Sequence, residues 1–406
     1  MDIKRIILIK GAVETLEFFS LQLAEAFTEH KIPAWFWDMR APLGSREAFC
    51  ALADLDASVL LTFNFIGFSG ESQFQSEHGG TLWEQYGVTS YCIMVDHPIY
   101  YYKRLRSHIS HMRLVCIDRG HKAFVEKFYP FYGKAGFLPL GGTPLPGTGI
   151  PFQERTTDVI FTGNFVPVEH LMPHIRHMDE ESRGFYFDII QELIEHPCIP
   201  LEKALISRLE GEFPQITREE TLSCLHGMVF IDLYLRTYFR QKVVCCLADH
   251  GVRLLAIGKD WEKAGCRRPE NIRMAGMQDS LACLKAMGNA KIALNIMPWF
   301  KDGAHDRIFN GMLQGCAVVT DSSAYLDEIL LEGRDYAGFS LEHYEEAAQK
   351  AKELLAAPGK AEELAQNGFQ AASQGHTWAH RASELLRAYD GGQPLRSQLW
   401  NCPKIT

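Results

Sequence analysis

The amino-acid sequence predicts an α/β protein built on two parallel, doubly wound sheets. Short apolar segments alternate with segments of helical periodicity, first over residues 1–150 and again from residue 151. This alternation is typical of parallel strands joined by crossover helices. A chain of 406 residues is too long for one ordinary hydrophobic core. The Gly- and Pro-rich stretch Pro139–Phe152 suits a linker between two domains. We therefore expect two Rossmann-like domains facing a cleft, with ligands at the carboxyl ends of the strands.

The first predicted domain covers residues 1–150. Helical patterns such as Glu14–Glu29 separate its apolar segments, and each segment has the length of a buried strand. The predicted strands are Arg5–Ile9, Ala34–Trp37, Ser58–Thr62, Ser90–Val95, Leu114–Ile117 and Gly136–Leu138.

The second predicted domain covers residues 151–375 and carries a helical insertion. Residues 169–250 are rich in helix formers and show few strand signals, and they separate the first strand of this domain from the second. A C-terminal helix at Trp378–Tyr389 and a tail complete residues 376–406. The predicted strands of the second domain are Asp158–Thr162, Arg253–Ile257, Asn271–Met274, Ile292–Ile296 and Ala317–Thr320.

Composition and charge exclude several classes of protein. The formal net charge of −9 argues against a general nucleic-acid surface, which needs a basic face. No stretch approaches the roughly 18 apolar residues of a membrane span, and the apolar run that starts at Ile6 is too short for a signal peptide. The eleven cysteines form no CxxC, so we expect reduced thiols in a cytoplasmic protein. The oligomeric state is not readable from the sequence.

Common catalytic and cofactor motifs are absent. The sequence contains no GxxxxGK[ST], no GxGxxG after a strand, no GxSxG and no HExxH. His170, His174 and His177 have helical spacing that could present a metal site, but the sequence alone does not place a carboxylate or cysteine as their partner. A solvated helix face is the better interpretation, and we expect neither a metal nor a cofactor.

Asp96 and His97 directly follow an apolar strand and precede Pro98. At the carboxyl end of a strand, a carboxylate and an imidazole can serve as a general base or hold a substrate hydroxyl. The alternative is that Asp96 caps the helix that starts near Pro98. The sequence leaves both interpretations open.

Polar and glycine residues also follow two strands of the second domain. Gly163-Asn164 and Gly258-Lys259 stand where a backbone can approach a ligand closely, and Lys259 offers a charge for a phosphate. Arg236 and Arg240 are four residues apart on a predicted helix and share one face. They are either a diphosphate clamp or part of a solvated basic surface.

The stretch "GAHDRIFNGMLQGCAVVTD" (Gly303–Asp321) predicts a helix over Ile308–Leu313, a turn at Gly315 and a buried strand. The polar triplet His305, Asp306 and Arg307 precedes this helix, where free N–H groups attract anions. His305 and Arg307 are candidate diphosphate ligands. The alternative is a capped surface helix, with Asp306 as the cap or as a partner of Arg307.

These segments resemble a known family. "HDRIFNGMLQGCAVVTD", "IALNIMPWF", "MVDHPIYYYKRL" and "GHTWAHRASELL" together resemble the CgeB-like, spore-maturation-type glycosyltransferases, which belong to the GT-B group and are related to glycosyltransferase family 4. The resemblance implies an N-terminal acceptor domain and a C-terminal domain that binds a nucleotide-diphosphate sugar, usually without a metal. The acceptor remains unidentified.

The family-4 signature has two glutamates eight positions apart. On this sequence they fall on Asp302 and Asn310, so the resemblance implies that Asn310 holds the ribose and Asp302 touches the donor sugar. Asn310 retains hydrogen-bonding capacity without the charge. We predict a glycosyltransferase with Asp96, His97 and Arg307 as catalytic residues. The alternatives are a nucleotide-sugar epimerase and a non-catalytic nucleotide-sugar-binding protein.

Overall fold

The computed structural model describes residues 3–147 and 149–390. Within them the chain divides into two units, residues 3–141 with 377–390 and residues 142–376. The boundary after Gly141 lies inside the predicted linker, and the C-terminal helix is grouped with the first unit. The end of the predicted tail, residues 391–406, lies outside the described residues.

The first unit contains a six-stranded parallel sheet of order β2-β1-β3-β4-β5-β6. Its strands agree with the predicted segments to within two residues at each end, because each is an apolar run between turn signals. The elements are β1 Arg5–Lys10, α1 Glu14–Glu29, β2 Ala34–Asp38, α2 Pro42–Cys50, β3 Ser58–Phe63, α3 Leu82–Gln85, β4 Thr89–Met94, α4 Tyr102–Leu105, β5 Met112–Cys116, α5 Arg119–Phe128 and β6 Gly136–Phe137.

The second unit contains another six-stranded parallel sheet, of order β12-β11-β10-β7-β8-β9. Five helices between β7 and β8 form the predicted helical insertion. The elements are β7 Thr157–Thr162, α6 Val168–Leu171, α7 Glu180–Glu195, α8 Leu201–Glu212, α9 Arg218–Gly227, α10 Val229–Asp249, β8 Leu254–Ile257, β9 Ile272–Met274, α11 Ser280–Met287, β10 Ala290–Asn295, α12 Asp306–Leu313, β11 Ala317–Asp321, α13 Ala324–Ile329, β12 Ala337–Phe339, α14 Glu346–Ala356 and α15 Pro358–Gly375.

The last helix, α16 (Trp378–Asp390), belongs to the first unit and packs on α1. The rings of Phe19 and Trp378 lie 4.8 Å apart, and Trp378 is buried. His30 Nε2 and Ser383 Oγ form a hydrogen bond of 2.9 Å nearby. A segment from the far end of the chain thus covers the apolar face of the first helix.

The helix α12 ends in a Schellman motif at Gly315, as the predicted turn requires. Gly315 has φ +71°, its N–H donates to Met312 O at 2.9 Å, and Cys316 N–H donates to Gly311 O at 2.9 Å. Gly311 lets the helix approach the sheet, since a Cβ there would lie 2.7 Å from Ala293 Cβ. The turn therefore fixes where α12 stops and β11 begins.

Arg155 caps the same end of α12, and we expect that lysine cannot replace it there. Its Nη1 donates to Gly315 O at 2.6 Å and to Ala290 O at 2.8 Å, and its Nη2 donates to Gln314 O at 3.0 Å. Lysine keeps the charge but not the planar fork. We expect Arg155→Lys to lower the free energy of unfolding by about 2 kcal/mol in urea titrations.

The matched control is Arg253→Lys, because the Arg253 side chain is 77% exposed. It should change the free energy of unfolding by less than about 0.5 kcal/mol. Equal stabilities of the two variants would contradict the role given to Arg155.

Cys245 and Cys266 form a disulfide, so the expectation of reduced thiols throughout is wrong for this pair. The bond ties the end of α10 to the turn around Ala264, where Gln241 Nε2 also donates to Ala264 O at 2.7 Å. Among the free cysteines of the described residues, Cys92, Cys116, Cys246 and Cys316 are buried.

No helix within residues 3–147 and 149–390 is both long enough and apolar enough to cross a bilayer.

Candidate active site

The candidate site lies at the carboxyl edge of the second sheet. β8 and β9 lie on one side of β7, and β10, β11 and β12 lie on the other, so the winding direction reverses between β7 and β10. In open α/β sheets this switch point is where ligands bind. Gly163 and Asn164 follow β7, and the segment with Arg307 follows β10.

Two glycines hold the turns after β7 and β8 against each other. Gly163 N–H donates to Ile257 O at 2.8 Å. Gly258 has φ +150°, and a Cβ there would lie 2.2 Å from Gly163 O. Asn164 Oδ1 accepts from Lys259 N–H at 3.0 Å, and the Lys259 residue is exposed. The structure thus brings these four predicted residues into one pair of turns.

Arg307 reaches from the first turn of α12 to the end of β7. Its Nη1 donates to Thr162 O at 3.0 Å, and its Cζ lies 5.2 Å from the centroid of the Phe161 ring. Arg307 is 7% exposed, and burial lowers its pKa to about 10. The side chain is still a cation at neutral pH, so the switch point holds a desolvated positive charge.

His305 occupies the N-cap position of α12, and Asp306 is the first helical residue. The proposal that Asp306 caps the helix is therefore wrong. A surface helix start is also wrong, because Asp306 and Arg307 are both buried. Burial lowers the pKa of His305 to about 4, and the charge of Arg307 adds to this effect. The imidazole is neutral above about pH 5.

A neutral imidazole carries one N–H, so its neighbours decide the tautomer. His305 Nδ1 lies 2.7 Å from Asp306 Oδ1, and Nε2 lies 2.9 Å from Arg307 Nη2. Protonation at Nδ1 satisfies both contacts, because Nδ1 then donates to the carboxylate while Nε2 accepts from the guanidinium. The alternative tautomer accepts Arg307 N–H at 3.2 Å through Nδ1 but sets a lone pair against the carboxylate. The short carboxylate contact favours the first arrangement.

Arg236 and Arg240, on α10, lie against an aromatic ring. Arg236 Cζ is 4.3 Å and Arg240 Cζ is 5.1 Å from the centroid of the Trp299 ring. The Arg236 side chain is 15% exposed and pairs with Asp232 Oδ2 at 2.8 Å. The alternative of a solvated basic surface is therefore wrong for Arg236.

Arg240 joins the arginines of α10 to the turn after β7. Its Nη1 donates to Asn164 O at 3.2 Å, while its buried Nε has no hydrogen-bond partner within the described parts of the chain. Burial holds the pKa of Arg240 well below its ordinary value, and the charges of Arg307 and Arg236 lower it further. Three guanidinium groups thus repel one another in a desolvated space. An anion bound there would relieve that repulsion.

Asn310 lies one turn into α12 and is 8% exposed. Its Nδ2 donates to Asp306 Oδ2 at 2.9 Å, and its Oδ1 accepts from Thr143 N–H at 2.9 Å. These partners fix the orientation of the amide, since a carboxylate only accepts and a backbone N–H only donates. Asp302 lies half-buried before the helix. The ribose and sugar roles implied for Asn310 and Asp302 stay predictions.

Two residues with evident contacts to this site were not singled out from the sequence. Trp299, after β10, contacts both arginines of α10. Asp321 ends β11, is 3% exposed, and accepts Met297 N–H through Oδ1 at 2.9 Å. The signal used for Asp96, a carboxylate at the end of an apolar strand, could have found Asp321. Trp299 lies four residues after the end of β10, so this signal does not reach it.

The buried Asp321 predicts a pH-dependent stability. Burial raises its pKa to about 7, above the ordinary 3.8. The unfolded state ionises first, so the native state loses stability relative to the unfolded state as the pH rises from about 4 to 7. We expect the wild type to lose about 2 to 3 kcal/mol between pH 5 and pH 8 relative to Asp321→Asn in urea titrations. Asparagine can still accept Met297 N–H, and parallel pH profiles of the two proteins would contradict the assignment.

In the first unit, the structure shows which of Asp96 and His97 caps the helix. His97 is the cap, because its Nδ1 accepts Ile99 N–H at 3.1 Å, and it is 4% exposed. The proposal that Asp96 caps this helix is therefore wrong. Asp96 Oδ2 lies 3.3 Å from both Asn64 Nδ2 and Tyr101 Oη at the carboxyl edge of the first sheet. Its role as a general base stays a prediction, as does a catalytic role for His97.

The three histidines with helical spacing do not share one helix. His170 lies in α6, His174 lies in a separate 3₁₀ turn that contains Pro173, and His177 follows it; all three are exposed. Among the described residues no group of three His, Cys, Asp or Glu side chains has the arrangement of a metal site.

Known proteins share the architecture of this chain. Its structure is similar to sucrose-phosphate synthase from Thermosynechococcus elongatus, with 11% identity, a TM-score of 0.55, and 96% of this chain and 98% of that chain covered. This is the GT-B fold. A glycosyltransferase from Rickettsia africae gives 10% identity and a TM-score of 0.51, with 95% and 98% covered. HepE of Anabaena, solved with UDP-glucose, gives 9% identity and a TM-score of 0.51, with 95% and 99% covered.

Residues 236–387 also match a family model described as glycosyl transferase-like. That segment contains Arg236, Arg240, Trp299 and the whole of α12. No curated protein matches the chain. The prediction of a GT-B fold is confirmed, and the match over residues 236–387 agrees with the prediction of a glycosyltransferase.

Proposed function

We propose that the protein transfers a sugar from a nucleoside diphosphate sugar and binds the diphosphate between Arg236, Arg240 and Arg307. The observation that carries this proposal is the convergence of three desolvated guanidinium groups at the switch point of the second sheet. Asp232 pairs with Arg236, and Asp306 contacts His305. These two carboxylates offset only part of the charge of the three guanidinium groups, so the site is suited to an anion.

The chemistry of transfer requires such a site. An acceptor hydroxyl attacks the anomeric carbon, the bond from that carbon to the diphosphate oxygen breaks, and the hydroxyl proton passes to a base. The leaving diphosphate gains negative charge as the bond breaks. Preorganised cations stabilise it without reorganisation, so this set of residues can act without a metal ion.

The arrangement supports distinct roles for the other residues. His305 supports the Arg307 guanidinium, Lys259 adds a charge beside the Gly163–Gly258 turn, and Asn310 and Asp302 face the ribose and the sugar. The CgeB-like subtype rests on the sequence resemblance of Arg307–Gly315 and its flanks. HepE was solved with UDP-glucose, so uridine nucleotides are the first donors to test.

A thermal-shift screen tests the proposal. UDP, GDP, TDP, ADP and CMP, with their sugar conjugates, are added to the wild type, since a ligand of the folded state raises its melting temperature. We expect a selective rise with one nucleoside diphosphate, abolished in Arg307→Ala and kept in Arg273→Ala, whose exposed side chain lies on β9. No rise with any ligand at millimolar concentration would contradict the proposal.

A second candidate is a non-catalytic nucleotide-sugar-binding protein. Asn310 favours it, because both polar ends of this side chain already have protein partners. Binding without release of nucleoside diphosphate, across donors and acceptors, would support this alternative. Sugar interconversion without an acceptor would instead support an epimerase.

Asp96→Asn tests the proposed acceptor side. Asparagine keeps a partner for Tyr101 Oη but cannot accept a proton at neutral pH. We expect release of nucleoside diphosphate from the donor sugar to fall at least about tenfold, with the affinity for the diphosphate unchanged. An equal loss of donor affinity, measured by calorimetry, would contradict the acceptor-side role.

A further inference from the structure

Trp299 contacts both arginines of α10. Its ring centroid lies 4.3 Å from Arg236 Cζ and 5.1 Å from Arg240 Cζ. The ring of His305 meets it nearly perpendicularly, with centroids 5.8 Å apart. Trp299 therefore links the two elements that carry the cations, α10 and the start of α12.

Core packing does not account for this placement. Trp37, Trp83 and Trp261 are fully buried, whereas Trp299 is only partly buried. Its neighbours Met297 and Phe300 are the residues that enter the core, at 0% and 2% exposure. The indole is left beside charged groups, where tryptophan is the best aromatic partner for a cation.

The backbone around Trp299 is held at both ends. Before it, Met297 N–H donates to Asp321 Oδ1 at 2.9 Å. After it, Phe300 N–H donates to Met297 O at 3.0 Å, and Ala324 N–H donates to Lys301 O at 2.9 Å. The backbone that carries Trp299 is therefore held by the end of β11 and by the start of α13, independently of the arginines.

An aromatic ring that contacts two neighbouring arginines orders both side chains before a ligand binds. Like charges four residues apart on a helix repel. The ring adds a contact to each guanidinium group besides Asp232, which pairs with Arg236, and Asn164 O, which accepts from Arg240. Ordering such side chains only when the ligand arrives costs binding affinity. A ring that holds both groups in advance removes that cost for a ligand that contacts both.

We infer that Trp299 is a positioning and specificity-determining residue that holds Arg236 and Arg240 ready for a diphosphate and so makes the site prefer diphosphates to monophosphates. The inference rests on the proposed function for the identity of the donor. The preference itself concerns the anion alone, so it is measurable with simple phosphates.

The experiment compares wild type, Trp299→Leu and Trp299→Phe by calorimetric titration with pyrophosphate, orthophosphate, UDP and GDP. We expect the wild type to bind pyrophosphate at least tenfold more tightly than orthophosphate. Trp299→Leu should reduce that ratio to threefold or less, and Trp299→Phe should restore most of it. Phe213→Leu, at an aromatic residue that is 58% exposed in the same unit, is the control and should keep the wild-type ratio.

If Trp299 has a purely structural role, its loss should weaken the binding of pyrophosphate and orthophosphate equally. The ratio of the two affinities would then stay unchanged, which would overturn the inference. If Trp299→Leu does not fold, Arg240→Lys replaces it, because lysine keeps the charge and loses the planar group that stacks. The Arg240→Lys variant should show the same reduced preference for pyrophosphate over orthophosphate. A preference equal to that of the wild type would overturn the inference.

The two proposals fail separately. If the wild type prefers pyrophosphate to orthophosphate but binds neither UDP nor GDP more tightly than pyrophosphate, the inference is supported and those two nucleotides are contradicted as parts of the donor. A wild type that binds UDP or GDP, with no change of ratio in Trp299→Leu, overturns the inference alone. A wild type that does not prefer pyrophosphate to orthophosphate overturns the inference. If the wild type also binds none of the nucleotides, the proposed function is overturned as well.

Discussion

Replacing Arg307 with alanine is expected to lower the release of nucleoside diphosphate from the donor sugar by about 100- to 1,000-fold. The guanidinium is buried at the switch point and is anchored to Thr162 O, so its position is set before any ligand binds. A charge held in this way stabilises the leaving group as the bond breaks. Its loss should affect turnover more than it affects the binding of the bare nucleoside.

The control for this prediction is Arg273→Ala, which removes an exposed arginine from the same unit. Far-ultraviolet circular dichroism and urea titration should show that both variants fold. Turnover like that of the wild type in folded Arg307→Ala would contradict the role of Arg307.

Replacing Gly258 with alanine is expected to lower the free energy of unfolding of the second unit by about 4 kcal/mol. A Cβ at this position would lie 2.2 Å from Gly163 O and 3.0 Å from Asn164 N, so the turns after β7 and β8 would have to separate. The same separation would break the contact between Asn164 Oδ1 and Lys259 N. Nucleotide affinity should therefore fall together with stability.

Gly333→Ala is the matched control for Gly258→Ala. Gly333 also has a positive φ, +78°, but a Cβ there would meet nothing within 4 Å. Gly333→Ala should lower the free energy of unfolding only through backbone strain, by about 1 kcal/mol. Equal destabilisation by the two substitutions would show that the close contact with Gly163 is not what Gly258 provides.

Most strands could be predicted because each depends on local sequence. β7 and β11 are short apolar runs between turn residues, and the Gly315 turn follows from the need for a left-handed residue after α12. β12, Ala337–Phe339, was not predicted, since three residues at the edge of a sheet give no periodic signal. The disulfide between Cys245 and Cys266 depends on the end of α10 meeting the turn around Ala264, which spacing alone does not reveal.

The candidate site was predictable in its members but not in their arrangement. Gly163, Gly258 and Arg307 were recognisable from their places at strand and helix ends. The environment of Arg236 and Arg240 was not, because it depends on Trp299, which lies 63 residues after the first and 59 residues after the second. That His305 occupies the N-cap position and Asp306 begins the helix could not be read from the triplet either.

The measurement that tests the central claim most directly is a calorimetric titration of the wild type with a series on one base: nucleoside, monophosphate, diphosphate and diphosphate sugar. If the diphosphate occupies the arginine cluster, affinity rises steeply at the second phosphate and falls with added salt, because the attraction is between charges. Equal affinity for the nucleoside and the diphosphate, or an affinity that salt does not change, would contradict a diphosphate site at Arg236, Arg240 and Arg307.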